Sequence, residues 1–128
     1  MRSLFFIALT CIACGPETGA RLTLNFPAEL IGNGFLHAAV FESGRCSELS
    51  SPVSLESAVV RETDPPGFDA ENRHPMELSG IPAGSDRMIV AIIERDGAQI
   101  CRACGDGLLI EDGGTTKVTL TLRGCPAP

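Results

Sequence analysis

The chain has 128 residues and sets ten Lys and Arg against sixteen Asp and Glu, a formal charge of −6; this length suits one core, and the acidic balance repels phosphate backbones and argues against nucleic acid as a partner. Six Phe stand with neither Trp nor Tyr, which weighs against a sugar-binding face or a hot spot built on those rings. Fourteen Gly and nine Pro, in short clusters, favour many turns and short strands over long helices.

The chain opens with Met1, Arg2 and Ser3, then Leu4-Phe5-Phe6-Ile7-Ala8-Leu9, then Thr10-Cys11-Ile12-Ala13-Cys14-Gly15. One positive charge, an apolar run and small residues make the pattern of an export signal. The run is too short to span a bilayer, which takes about 20 apolar residues. It has neither strand nor helix periodicity, which weighs against a buried element of the domain. Around Cys14 the sequence resembles the lipobox of bacterial lipoproteins, with Ala13 just before the cysteine and Ile12 before that. The family usually carries Leu three positions ahead of the cysteine, where this chain has Cys11. The resemblance implies cleavage after Ala13 and acylation of Cys14, palmitate included. Cys11 is the alternative acceptor, and ordinary secretion or a periplasmic address the alternative fate.

This reading divides the chain into a signal at 1–13, a tether at 14–20 and a domain at 21–128. Arg2 is the one charged residue of the signal, so nine basic and sixteen acidic residues remain beyond it, a formal −7. Gly15, rather than Asp, follows the cysteine, and the resemblance then implies the outer membrane over the inner. The expected partner is the membrane, through the lipid anchor. No cofactor is expected.

Residues 21–26 alternate, with Leu22, Leu24 and Phe26 on one side and Arg21, Thr23 and Asn25 on the other, which predicts a half-buried strand. Pro27 and Gly32-Asn33-Gly34 interrupt the chain. Residues 35–41 are apolar and predict a buried strand. Residues 53–61 read as an irregular strand, with a short helix capped by Ser51 and opened by Pro52 as the alternative. Residues 64–75 read as a polar loop around Pro65-Pro66-Gly67 and are the expected binding loop, because rigid sandwiches present function on loops. Residues 87–95 predict a long apolar strand. Asp96-Gly97 is the strongest hairpin signal, since a type I′ turn needs φ > 0 at both central positions. Residues 98–104 return antiparallel. After a turn at Asp112-Gly113-Gly114, residues 117–123 alternate with Val118, Leu120 and Leu122 inward. The sum is an all-β chain, an antiparallel β-sandwich of about seven short strands.

Within it, Leu78-Ser79-Gly80-Ile81-Pro82-Ala83-Gly84, followed by a strand and Asp96-Gly97, resembles the L-x-G-L-P-A-G element of prealbumin-like sandwiches. Carboxypeptidase regulatory-like and collagen-adhesin B-type domains belong to that group. Those families often place Tyr at the start of the next strand, where this chain has Arg87-Met88. The resemblance implies a prealbumin-like sandwich, with an immunoglobulin-like one as the alternative. With Cys14, Cys46 and Cys104 the chain also resembles small lipoproteins of predatory and gliding soil bacteria. These families imply a structural, adhesive or accessory role, without catalysis and with an unidentified protein or ligand partner.

Cys46, Cys101, Cys104 and Cys125 remain for the domain, and an even number in an exported domain implies disulfides. On one extended strand Cys101 and Cys104 lie about 10 Å apart and on opposite faces, whereas bridged Cα atoms are usually within about 7 Å. Parity places Cys101 outward, as it does Cys125. The expected pairs are Cys46–Cys104 and Cys101–Cys125. The alternative is an exported thiol-disulfide redox protein, or another small enzyme, using Cys101 and Cys104. Redox Cys-x-x-Cys motifs sit at a helix N-terminus, and here Gly105-Asp106-Gly107 follows. A four-cysteine zinc site usually shows two such knuckles, and c-type haem attachment needs a following His; the chain has neither.

His37 reads as a packed or edge residue of its strand and His74 as solvated. Asp64, Asp69, Glu71 and Asn72, and separately Asp106, Glu111 and Asp112, offer oxygen ligands of the kind Ca²⁺ takes. Their spacing is not that of an EF-hand, and solvated acidic loops are the preferred reading, with no metal site.

Overall fold

The computed structural model describes residues 18–25, 35–64 and 75–123. Its seven strands are β1 (Gly19–Asn25), β2 (Phe35–Phe41), β3 (Val60–Asp64), β4 (Pro75–Ser79), β5 (Gly84–Arg95), β6 (Ala98–Ile110) and β7 (Thr115–Thr121), with one 3-10 turn at Cys46–Glu48. They form two sheets, ordered β4-β1-β7 and β3-β2-β5-β6. The chain is thus an all-β sandwich, as its turn-rich pattern predicts. All pairings are antiparallel except β1 with β7, which run parallel from Gly19 opposite Thr115 to Asn25 opposite Thr121.

Alternation places the half-buried strands. Ala20, Leu22 and Leu24 of β1 and Val118 and Leu120 of β7 point into the space between the sheets, while Arg21, Lys117, Thr119 and Thr121 do not. In register, Leu22 stands beside Val118 and Leu24 beside Leu120. Across the gap they meet Leu36, Ile89 and Ile93, all fully buried. Burying one such side chain contributes roughly 1.5–3 kcal/mol.

β2 and β5 read as unbroken apolar runs because both their faces are covered. Ile89, Ala91 and Ile93 face the inter-sheet core, while Met88, Val90 and Ile92 face a second cluster with Ala39, Phe41 and Val53. Leu49, Leu55 and Ala58, from the connection between β2 and β3, pack against that second cluster. The connection is fastened by Gln99 of β6. Its Nε2 donates to the carbonyl of Val53, and its Oε1 accepts from the Val53 amide, each at 2.8 Å. A side-chain amide here takes the place of a neighbouring strand for one residue. Gln99→Leu leaves both Val53 groups without a partner and lowers stability by about 1–3 kcal/mol. Urea unfolding of the two proteins checks this, and coincident midpoints would contradict it.

Beyond an earlier start of β5 at Gly84 and of β7 at Thr115, and an earlier end of β7 at Thr121, four details differ from expectation. First, of the irregular strand expected at 53–61 only Val60 and Arg61 belong to β3; the preceding residues are drawn instead onto Gln99 and the second cluster. Second, β6 runs on to Ile110, past the expected end at Cys104, with bulges in its pairing to β5. Third, β1 starts at Gly19, two residues ahead of the expected domain start at Arg21. Fourth, Cys101 faces inward. It lies opposite Ile93 and is 6% exposed in the inter-sheet core. Exposed Arg102 sets the parity of this stretch, so Cys101 and Ala103 turn in and Cys104 turns out.

The hairpin turn is as the dipeptide demands: φ is 52° at Asp96 and 79° at Gly97.

Candidate functional site

Cys104 is joined to Cys46, with Cα atoms 5.8 Å apart and a sequence separation of 58. The bond staples the start of the β2–β3 connection to the outer side of β6. Cys101 is also held in a disulfide. Its expected partner Cys125 lies outside the described residues, as do Cys11 and Cys14. Cys101 and Cys104 therefore do not form a dithiol pair with each other; they lie on opposite faces of β6, and Cys104 is committed to Cys46.

The Gly80–Gly84 stretch gains its meaning from Arg87. The Arg87 guanidinium donates to the carbonyls of Pro82 (2.9 Å), Ala83 (2.6 Å), Ser85 (3.5 Å) and Glu42 (2.8 Å). One planar fork gathers the turn and ties it to the end of β2. Gly84 has a φ of 149°, a conformation that side chains rarely adopt, and a Cβ there would stand 2.5 Å from Arg87 Nη2, so glycine suits the turn. The position at which the resembling families often carry Tyr is held here by a residue that collects carbonyl oxygens.

The N-terminal end of β1 is fixed with equal care. The Thr18 hydroxyl donates to Asp112 Oδ1 at 3.0 Å and accepts from the Gly113 amide at 2.9 Å. Its carbonyl accepts from Ile81, and the Gly19 amide donates to Gly114. Chain direction is thus set at Thr18.

A groove that brings together a histidine, a hydroxyl and a carboxylate lies on the outer face of the four-stranded sheet. His37 Nδ1 stands 2.9 Å from the Thr63 hydroxyl, and Nε2 stands 3.7 Å from Glu94 Oε1. Phe35, 42% exposed, stacks on the imidazole with ring centroids 6.3 Å apart. Leu55 and Arg61 complete a hollow of about 450 Å³. Hydroxyl, imidazole and carboxylate are in triad order. However, 3.7 Å exceeds the hydrogen bond that orients a catalytic imidazole, and Nε2 is buried without a hydrogen bond. Thr63, His37 and Glu94 thus share one hollow, with the imidazole hydrogen-bonded on its Nδ1 side alone. Sequence reasoning read His37 as a packed or edge residue. Nothing local announces Thr63 and Glu94 beside it, since they arrive by strand pairing from 26 and 57 positions away.

The expected binding loop, with Asp69, Glu71, Asn72 and His74, lies outside the described residues; Asp64 closes β3. Of the second acidic set, Asp106 Oδ2 accepts from the Cys46 amide at 2.7 Å and Asp112 accepts from Thr18. Both carboxylates hold the chain's own loops in place. Among the described residues no group of three or more His, Cys, Asp or Glu is arranged to hold a metal ion, and no helix is long and apolar enough to cross a membrane.

No family model and no curated protein matches the chain in sequence. In fold it is similar to an alternative pilotin from the type II secretion system of Vibrio cholerae. The TM-score is 0.56, over 81% of this chain and 93% of that one, at 13% identity. At that identity the likeness is one of fold.

Proposed function

We propose that the chain is a lipid-anchored, non-catalytic accessory module of the bacterial cell envelope, held by Cys14 and binding a protein partner. The observation that carries this reading is the fold likeness to the pilotin, which extends over 93% of that chain. The segment ahead of Thr18 supports it independently through Ile12-Ala13-Cys14-Gly15. Because Thr18 is clamped by Asp112, Gly113 and Ile81, only residues 15–17 separate the acylated cysteine from the sandwich. Fully extended they reach roughly 10–15 Å, shorter than a tether at 14–20 would allow. The domain then sits against the membrane with its Thr18 end down. The outer membrane is the destination this reading assigns.

Radiolabelled palmitate tests the anchor. The wild-type chain and Cys11→Ser take up label, and Cys14→Ser takes up none. An unlabelled wild type, or a Cys11→Ser chain that alone loses label, contradicts the assignment. Cross-linking in intact cells tests the partner. A discrete adduct of the labelled chain with one other envelope protein is expected, and a chain that forms no adduct contradicts the accessory role.

A further inference from the structure

The strand pairing brings two arginines face to face at the open side of the sandwich. Arg102 of β6 and Arg123, just past β7, form an isolated antiparallel bridge. Each amide donates to the other's carbonyl, at 3.3 and 2.9 Å. Residues paired in this way project their side chains to the same side of the ladder, and like charges directly opposite are destabilising. Both side chains are exposed. Arg102 Nη1 donates to the Ser50 carbonyl at 2.9 Å, a neutral acceptor. Arg123 donates no side-chain hydrogen bond among the described residues, and neither arginine enters a salt bridge there. Among the described residues the pair thus has no carboxylate within salt-bridge distance.

The surroundings are concave. Arg102 and Arg123 line two adjoining hollows, one of about 180 Å³ with Ser51 and Gln99 and one of about 400 Å³ with Leu49 and Thr121. Among the described residues no Asp or Glu lines either hollow. Two guanidiniums offer up to ten N–H donors, of which one is used, above walls bearing hydroxyls and an amide. That chemistry suits bidentate capture of carboxylates.

The geometry points to Arg102 and Arg123 as a docking site for an acidic polypeptide segment, whose carboxylates supply the charge that this edge lacks. A phospholipid headgroup is the other anion within reach of an anchored protein, and the topology disfavours it. β1 and β7 run parallel, and Thr18 and Thr115 mark one end of the sheet. Arg123 stands eight residues beyond Thr115, roughly 25 Å toward the other end. An anchor ahead of Thr18 turns the arginine pair away from the membrane that holds it. The choice of polypeptide over lipid rests on the anchored reading proposed above; carboxylate capture by the pair does not.

The test uses the mature chain in detergent micelles and a fluorescent, N-acetylated and C-amidated hexaglutamate peptide, read by anisotropy. Saturable binding that weakens with added salt is expected. Arg102→Gln and Arg123→Gln each weaken it at least about fivefold. Lys117→Gln, which removes the same charge from the exposed face of β7, leaves it within about twofold. Glycerol phosphate at matched charge fails to displace the peptide. Equal weakening by Lys117→Gln shows general charge attraction and overturns the site. So does unchanged binding in the arginine variants, and displacement by glycerol phosphate transfers the pair to a phosphate ligand and overturns the polypeptide assignment. A chain that lacks the acyl group but binds the peptide through both arginines sinks the anchor and leaves the site.

Discussion

Replacing Cys46 and Cys104 together by serine lowers the stability of the domain by roughly 2–4 kcal/mol, a fall in melting temperature on the order of 10 °C. The size follows from what the bond closes. Its 58-position separation is large, and in the chain-entropy view a long loop restricts the unfolded chain most. In the folded state the bond also holds the β2–β3 connection over Ala39, Phe41, Val90 and Ile92. Losing it exposes the second cluster rather than the inter-sheet core. Differential scanning calorimetry of the double variant checks the magnitude, and amide exchange checks the location. Peptide mapping of the unreduced wild-type chain shows whether Cys101 is joined to Cys125. A double variant that melts with the wild type would mean that Gln99 and apolar packing suffice to hold the connection.

Arg87→Ala lowers stability by about 2 kcal/mol. Hydrogen bonds to a charged group are worth roughly 1.5–3 kcal/mol each, but the four carbonyls here lie near water, which replaces part of what is lost. Arg87→Lys recovers less than half, because one ammonium cannot reproduce a planar fork across Pro82, Ala83 and Glu42. Gly84→Ala is destabilising too, since its Cβ would crowd the guanidinium at 2.5 Å and φ at Gly84 is 149°. The two substitutions share one contact, so their costs fall short of adding in the double variant. Urea unfolding of the four proteins gives the coupling. Strict additivity would show that the turn and Arg87 act separately.

Much of the fold was legible where one physical constraint dominates a short stretch. Leu22 and Leu24, and Val118, Leu120 and Leu122, alternate because one face of each strand is wet. Asp96-Gly97 marks its turn because few dipeptides accept two positive φ values. The apolar runs in β2 and β5 gave strands but no facing, because cover on both sides erases alternation. The parallel pairing of β1 with β7 left no local sign, because its partners lie far apart in sequence, with Gly19 opposite Thr115. Parity misplaced Cys101, which was expected outward with Cys125 and instead turns into the core beside exposed Arg102, whereas the expected bond between Cys46 and Cys104 is formed.

The site was less legible, for a related reason. Thr63, His37 and Glu94 come together across three strands, and Arg102 meets Arg123 across a bridge between the two sheets. Such pairs depend on register, which a single sequence states only where turns are tight. Arg87 shows the opposite case. Its place after Gly80-Ile81-Pro82-Ala83-Gly84 was visible, but its task of gathering carbonyls required the turn's geometry.

Export and anchoring through Cys14 is the claim on which the proposed function stands. Mass spectrometry of the chain recovered from membranes tests it most directly. The account predicts a mature N-terminal peptide that begins at Cys14 and carries the mass of an acylated cysteine, with Cys46 and Cys104 joined in the same molecule. An N-terminal peptide beginning at an unmodified Met1, from a cytosolic chain with reduced Cys46 and Cys104, would contradict it.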